Sequence, residues 1–167
     1  MTVVLEDVLR DLTPRVFRYA VARTGDATSA EDVAQDCLTA LVSRWQRHGP
    51  PESPEAFVFA IARRRAFRAA VRRRIWLPLE HLMAVRDGRP DPESETITRD
   101  GRAHVVAAIR RLPARDREAL LLVVAGGLST ARAAETLGIS PSALKVRTFR
   151  ARRRLAALME DRDGARP

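Results

Sequence analysis

Apolar residues recur along this chain at helical spacing, and no segment alternates as a strand would. Leu5, Val8, Leu9 and Leu12 mark a first stripe, and Val16, Phe17, Tyr19 and Ala20 continue it. Between them Thr13-Pro14 predicts a restart, with Thr13 as N-cap and Pro14 as first helical residue, and Gly25 predicts a stop. Thr28 and Ser29 predict the next start, with Glu31 and Asp32 placed three residues on as in a capping box. Val33, Cys37, Leu38, Leu41, Val42 and Trp45 give that helix its buried side. The run RHGPPESP, residues 47–54, predicts an exposed loop, and Ser53-Pro54 starts a third long helix reaching about Ile75. The pattern is all-α, without an internal repeat.

The C-terminal third, GGLSTARAAETLGISPSALKVRTFRARRRL (residues 126–155), predicts a helix, a tight turn and a second helix loaded with cations. Ser129 is placed to cap the first helix and Gly138 to close it in a left-handed conformation. Ser140 then caps the second, with Pro141 at the first helical position. Gly138-Ile139-Ser140 has the length of turn found between two helices that meet at a steep angle. At about 100° per residue, Leu144, Thr148, Ala151, Leu155 and the stem of Arg147 fall on one side of the second helix. Ser142, Lys145, Val146, Phe149, Arg150 and Arg153 fall on the other. A helix-turn-helix with so basic a second helix points to duplex DNA, with Ser142 and Lys145 near the helix start, where base edges are met. The plainer alternative is a solvated cationic helix with one stray aromatic.

Charge sharpens this picture. The net charge of +9 is carried by 29 Arg and one Lys, which favours a polyanionic partner; part of the arginine bias also fits a GC-rich genome. Residues 57–74 hold seven Arg and no acid, and residues 102–160 have a net charge of +8. Between them residues 80–100 carry −3, and RDGRPDPESETITRD reads as a linker without a core of its own. The expected organisation is therefore an N-terminal helical domain over 1–75, a flexible acidic linker over 76–101, a helix-turn-helix domain over 102–160 and a disordered tail over 161–167. No apolar run approaches 18 residues and no signal peptide is visible, which predicts a cytoplasmic protein without membrane insertion. Cys37, the only cysteine, excludes an internal disulfide and a cysteine-based zinc site, and reads as a small buried hydrophobe.

Catalytic chemistry finds no support. His48, His81 and His104 are scattered, no Gly-rich phosphate loop exists, and no nucleophile stands beside a base in a known pattern. The acids of residues 31–36 fit a capped, solvated helix start better than a metal cluster, so neither a metal nor a cofactor is expected. The cations of residues 57–74 spread round their helix, against a membrane-surface role.

The two halves together resemble the extracytoplasmic-function (ECF, group IV) sigma factors of bacterial RNA polymerase, within the sigma-70 family. AEDVAQD (Ala30–Asp36) is similar to that family's AED-hydrophobic-x-Q-acid signature, and SPEAFVFAIARRRAF to its aromatic-rich helix leading to Ile-Ala-Arg. AIRRLPARDREALLL, GLS, AAETLGIS and ALKVRTFRAR align with its second domain, so the likeness covers residues 12–74 and 104–158. The resemblance implies a non-catalytic protein that docks on core RNA polymerase, on the clamp helices of the largest subunit and on the flap, and directs it to promoter DNA. It implies that Asp32, Gln35 and Asp36, which share a helix face, meet polymerase. Arg63, Arg64, Arg65, Arg68, Arg72 and Arg73 would track the melted minus-ten strand, with a flipped-base pocket at residues 47–53. Ser142, Lys145, Val146, Phe149, Arg150 and Arg153 would read the minus-thirty-five duplex. The linker would run through the polymerase cleft and RNA exit path. An anti-sigma antagonist is among the partners this family allows.

Departures from the family pattern stand at Arg64 and Arg68, where Asn and Asp are usual, so either they pair with carboxylates of the first helices or they extend the DNA groove. Phe57 replaces a usual Trp, and Ala131 and Ala133 replace an acid and an Ile, which predicts looser packing there. A stand-alone helix-turn-helix regulator is the alternative, but it leaves AEDVAQD and the second basic helix unexplained.

Overall fold

The computed structural model describes residues 4–76 and 99–163, and all regular structure among them is helical. In chain order the helices are α1 Leu5–Thr24, α2 Ala27–His48, α3 Pro54–Trp76, α4 Arg99–Arg111, α5 Ala114–Val124, α6 Thr130–Leu137 and α7 Pro141–Asp163. The first three pack on one another as one unit, and α5 and α6 pack on α7 as a second, with α4 against α7.

Two helix starts differ from expectation. α1 is continuous through Pro14, and Thr13 caps nothing: its hydroxyl donates back to the Leu9 carbonyl at 2.6 Å. A proline inside a helix costs roughly 3 kcal/mol. Leu12, Val16, Tyr19 and Ala20 are all buried on one continuous stripe, and keeping that stripe in register outweighs the break. α2 begins earlier than Thr28, because Asp26 is its N-cap and accepts from the Ser29 N–H at 2.8 Å. A carboxylate two residues upstream of Thr28 outcompetes the hydroxyls, leaving Ser29 in the first turn and the expected capping box unused. Arg47 and His48 belong to the last turn of α2, so the loop is only Gly49–Ser53.

Other signals hold. Gly25 closes α1 at φ 81° and Ser53 caps α3, accepting from the Ala56 N–H at 3.2 Å. α3 ends at Trp76 and α4 begins at Arg99, inside the segment expected as linker; residues 77–98, with the acidic character of that segment, lie outside the described residues. So do residues 164–167 of the expected tail, whereas 161–163 continue α7.

The core crosses between the units. Val16 and Tyr19 of α1, Val58, Phe59 and Ala62 of α3, Leu121 and Leu122 of α5, Leu128, Ala133 and Ala134, and Leu144 of α7 belong to one buried cluster. A smaller cluster of Leu112, Leu120 and Ala151 lies wholly in the second unit. α3 meets α6, and α1 meets α5. Ala133 is fully buried and Ala131 exposed, so the small residues of α6 are divided between core and surface.

Candidate nucleic-acid interface

The C-terminal motif is built by its caps. The Ser129 hydroxyl accepts from the Arg132 N–H at 3.3 Å. Gly138 sits at φ 63°, and its N–H reaches the carbonyls of Ala134 and Glu135. A side chain there would be strained without any neighbour to meet, so the need for glycine is conformational. The Ser140 hydroxyl accepts from the Ala143 N–H at 3.2 Å and starts α7. Leu144 and Ala151 are fully buried, Leu155 packs partly against the second core cluster, and Thr148 turns its hydroxyl onto the Leu144 carbonyl at 3.0 Å. Ser142, Lys145, Val146, Phe149, Arg150 and Arg153 are all exposed. Phe149 is 65% exposed, more than any other large apolar residue among those described, so it contributes little to the core. The helix thus presents apolar contact and cations together on an open face.

The arginines of α3 do not share one environment. Arg64, Arg68 and Arg72 are exposed, and neither Arg64 nor Arg68 meets a carboxylate among the described residues. This overturns the pairing of Arg64 and Arg68 with acids of the first helices. The rotation of α3 is set by burial of Val58, Phe59, Ala62 and Ala66, which turns Arg64 and Arg68 to solvent. Phe67, 58% exposed, and Val71 lie on the same side, and sequence reading did not single out Phe67. Arg65 pairs with Asp36 of α2. The Arg73 side chain lies outside the described residues. Asp32, Gln35 and Asp36 are exposed along one face of α2, and the Asp36–Arg65 pair ties that face to the edge of the cationic one.

Arg63 behaves differently, facing the C-terminal unit instead of an open cationic track. Its Nη1 donates to the Thr136 carbonyl at 2.7 Å, and its Nε lies 3.5 Å from Glu118 Oε1. Around Glu118 a polar cluster joins the units. The Tyr19 hydroxyl donates to Glu118 Oε1, and Arg23 Nε lies 3.1 Å from Oε2. Burial, and then the adjacent carboxylate, push the Tyr19 phenol well above its ordinary pKa. Nearby, Arg15 Nε donates to the Gly126 carbonyl at 2.9 Å and Nη2 to that of Gly127 at 3.1 Å, while Arg18 Nε reaches Ala125 O at 3.4 Å. Arg15 and Arg18 thus sit at the carbonyl end of α5, and Arg63 at that of α6, where helix dipoles favour positive charge. Arg15 also pairs with Glu55, and its guanidinium lies 5.9 Å from the centre of the Phe59 ring, which meets Tyr19 edge-on at 5.6 Å. None of Tyr19, Arg23 and Glu118 was legible as a group, since they are 99 residues apart at the widest and follow no local spacing.

No group of three or more His, Cys, Asp or Glu suited to a metal occurs among the described residues, and no helix of the described residues is long and apolar enough to cross a membrane.

Comparison with known proteins places both units. Residues 8–76 match the family model for sigma-70 region 2, and residues 103–155 that for sigma-70 region 4. The chain is 34% identical over 165 residues to the ECF RNA polymerase sigma factor ShbA of Streptomyces griseus, covering 92% of this chain and 86% of that one. It is 35% identical over 159 residues to the ECF RNA polymerase sigma factor SigD of Mycobacterium tuberculosis, with 90% and 74% covered. Among solved structures it shares the fold of the sigma factor RpoE of Bartonella quintana, seen in complex with the anti-sigma factor NepR. The TM-score is 0.70 at 23% identity, covering 93% of this chain and 96% of that one. It also shares the fold of CnrH in complex with the cytosolic domain of CnrY, with a TM-score of 0.68 at 20% identity and 94% and 88% covered.

Proposed function

The chain belongs to the ECF RNA polymerase sigma factors of the sigma-70 family and directs transcription initiation, and from that membership we propose how its surfaces divide the work. α7 reads the minus-thirty-five duplex through Ser142, Lys145, Val146, Phe149, Arg150 and Arg153. Lys145 and Arg150 donate to guanine O6 and N7 or to phosphates, and Val146 and Phe149 supply apolar contact to thymine methyls or sugar. The face of Arg64, Arg68 and Arg72, with Arg63 and Arg65 at its margins and with Arg73 as a further cation of the same stretch of sequence, tracks the melted minus-ten strand, and the Gly49–Ser53 loop holds an unstacked base. Single-stranded DNA calls for this mixture of cations and aromatic surface, which Phe67 would extend. Asp32, Gln35 and Asp36 dock on core polymerase. The protein acts by binding, without a catalytic step of its own, in the cytoplasm where polymerase works. An anti-sigma factor is the natural antagonist, as the sigma factor RpoE of Bartonella quintana, which shares this fold, is seen in complex with one.

The observation that carries this reading is the phase of α7. Every residue assigned to the groove is exposed, while Leu144 and Ala151 on the opposite side are fully buried. A lost base contact costs roughly 1–3 kcal/mol. Lys145→Ala and Arg150→Ala therefore weaken holoenzyme binding to a promoter library about five- to a hundredfold at fixed salt. The loss is selective if the contact is to a base, and uniform with a shallower salt slope if it is to phosphate. Folded variants with unchanged affinity and unchanged preference would show that another face enters the groove.

A further inference from the structure

The two promoter elements are named for positions about 25 base pairs apart, a span of about 85 Å at 3.4 Å per base pair. A chain of this length folded as one body is roughly 40 Å across. With α3 against α6 and one core running through both units, the present arrangement cannot hold both elements at once. It also withdraws part of the cationic face, because the Arg63 guanidinium is engaged by Glu118 and the Thr136 carbonyl.

We propose that Tyr19, Arg23, Arg63 and Glu118 form a latch that holds the chain in a closed, promoter-incompetent state, with the Glu118 carboxylate occupying Arg63 in place of a DNA phosphate. The phosphate-substitution part rests on the minus-ten reading of Arg63.

The chemistry of the cluster suits a catch that releases. Glu118 is 9% exposed, and its two oxygens are shared among three donors from α1 and α3. Burying a carboxylate and guanidinia costs hydration, which the pairing regains in full only when every donor is well placed. Here that condition is not met. Arg23 Nε and Arg63 Nε are buried and ionically paired with Glu118, yet neither reaches an acceptor in hydrogen-bond geometry. Separation of the units returns these donors and the carboxylate to water. The latch thus fixes one arrangement through directional contacts while adding little net stability to it. A polyanion competing for Arg63, or polymerase binding the units apart, shifts the balance by its differential affinity for the open and closed forms, set against the core that the units share.

The contacts around the cluster act in the same direction. Arg15 and Arg18 cover the carbonyl end of α5, and the Arg110 guanidinium lies against Gly25 at the end of α1. Each unit thereby places a cation at a helix end of the other.

The test uses the full chain carrying donor and acceptor dyes at Thr39→Cys and Ala156→Cys, two exposed positions in different units, with Cys37 buried and unreactive. The free protein shows high energy transfer, which falls when core polymerase and promoter are added. Glu118→Gln, isosteric and still able to accept a hydrogen bond, shifts the free protein toward low transfer with its helical circular dichroism intact. Tyr19→Phe, which removes a single hydroxyl, shifts it less in the same direction and serves if Glu118→Gln misfolds. A short single-stranded DNA oligonucleotide binds the free Glu118→Gln chain about tenfold more tightly if about a tenth of the original chain is open. Adding Arg63→Gln abolishes that gain while leaving transfer low. High transfer retained in both folded latch variants, or low transfer in the free original chain, overturns the latch. Opening without tighter DNA binding overturns the phosphate-substitution role. Arg63→Gln in the assembled holoenzyme tests the minus-ten reading separately: unchanged promoter melting there refutes that reading, while the transfer measurements judge the latch.

Discussion

At the scale of single residues, burial decides chemistry more than identity does. Cys37 is the clearest case. It is fully buried beside the α2–α3 contact, and burial pushes its thiol up to about 12, with a small opposing pull from Arg65. Thiolate is the reactive form, so labelling with a thiol reagent at pH 8 is negligible in the native protein and complete in denaturant. The same burial has a consequence at high pH. The folded thiol holds its proton above the ordinary pKa of 9.0, so between that value and about 12 the native state binds more protons than the unfolded chain. Stability is therefore intact below about pH 8 and falls as pH rises through that window. Tyr19, also shifted upward, adds to the loss in the same direction. Urea melts at pH 7.5 and pH 10.5 check this, and equal midpoints would contradict it.

Among elements, the helices that carry function each have one face fixed by the core and another left open. On α7 the fixed side is Leu144 and Ala151; on α3 it is Val58, Phe59, Ala62 and Ala66; on α2 it is Val33, Ala34, Cys37 and Leu41. Rotational phase is thus determined by packing, and the open faces are what remain. For α2 this separates two acids that sequence placed together. Asp32 is exposed and has no ion pair among the described residues, whereas Asp36 is committed to Arg65. Asp32→Arg is consequently the cleaner probe of polymerase docking. Core polymerase pull-down is expected to fall at least about tenfold, the effect of losing roughly 1.4 kcal/mol when a charge is reversed against a basic surface. Its melting temperature stays within a few degrees of the original, since an exposed charge away from the core changes stability by about 0.5 kcal/mol or less. Asp36→Arg weakens binding too, but also sets two arginines against each other between α2 and α3. Unchanged co-purification of the folded Asp32→Arg protein would remove this face from the polymerase contact.

The whole molecule is one cooperative body in its closed form, because its largest buried side chains come from both units and touch in a single cluster. Phe59 lies at the junction. It is fully buried, meets Tyr19 edge-on, carries Arg15 near its ring, and packs so close to Gly126 that a Cβ there would come within 2.8 Å of its ring. Phe59→Ala is expected to destabilise by roughly 3–5 kcal/mol. The original protein unfolds in a single transition by calorimetry, and the variant either melts lower as one unit or separates into two transitions as the shared core is lost. A protein that already shows two independent transitions, with only the first moved by Phe59→Ala, would mean that the units do not share a core in solution.

The sequence by itself determined whatever depends on neighbours along the chain. The caps at Ser129, Gly138, Ser140, Ser53 and Gly25, the turn between α6 and α7, and the division of α7 into buried and exposed faces follow from spacing and local backbone chemistry. Family membership followed from motifs of the same local kind. Where two local signals competed, sequence alone chose wrongly. Pro14 was expected to break a helix that the core stripe keeps whole, and Thr28-Ser29 to cap a helix that Asp26 starts. The environments of Arg63, Arg64, Arg65 and Arg68 were decided only by tertiary structure. They lie within six residues on one helix, yet one meets Glu118, one meets Asp36 and two face solvent. The Tyr19–Glu118 contact likewise joins residues 99 apart in sequence. A charged side chain's fate depends on which distant helix packs beside it, and that is set by the shape of the buried core, which no periodicity along the chain records.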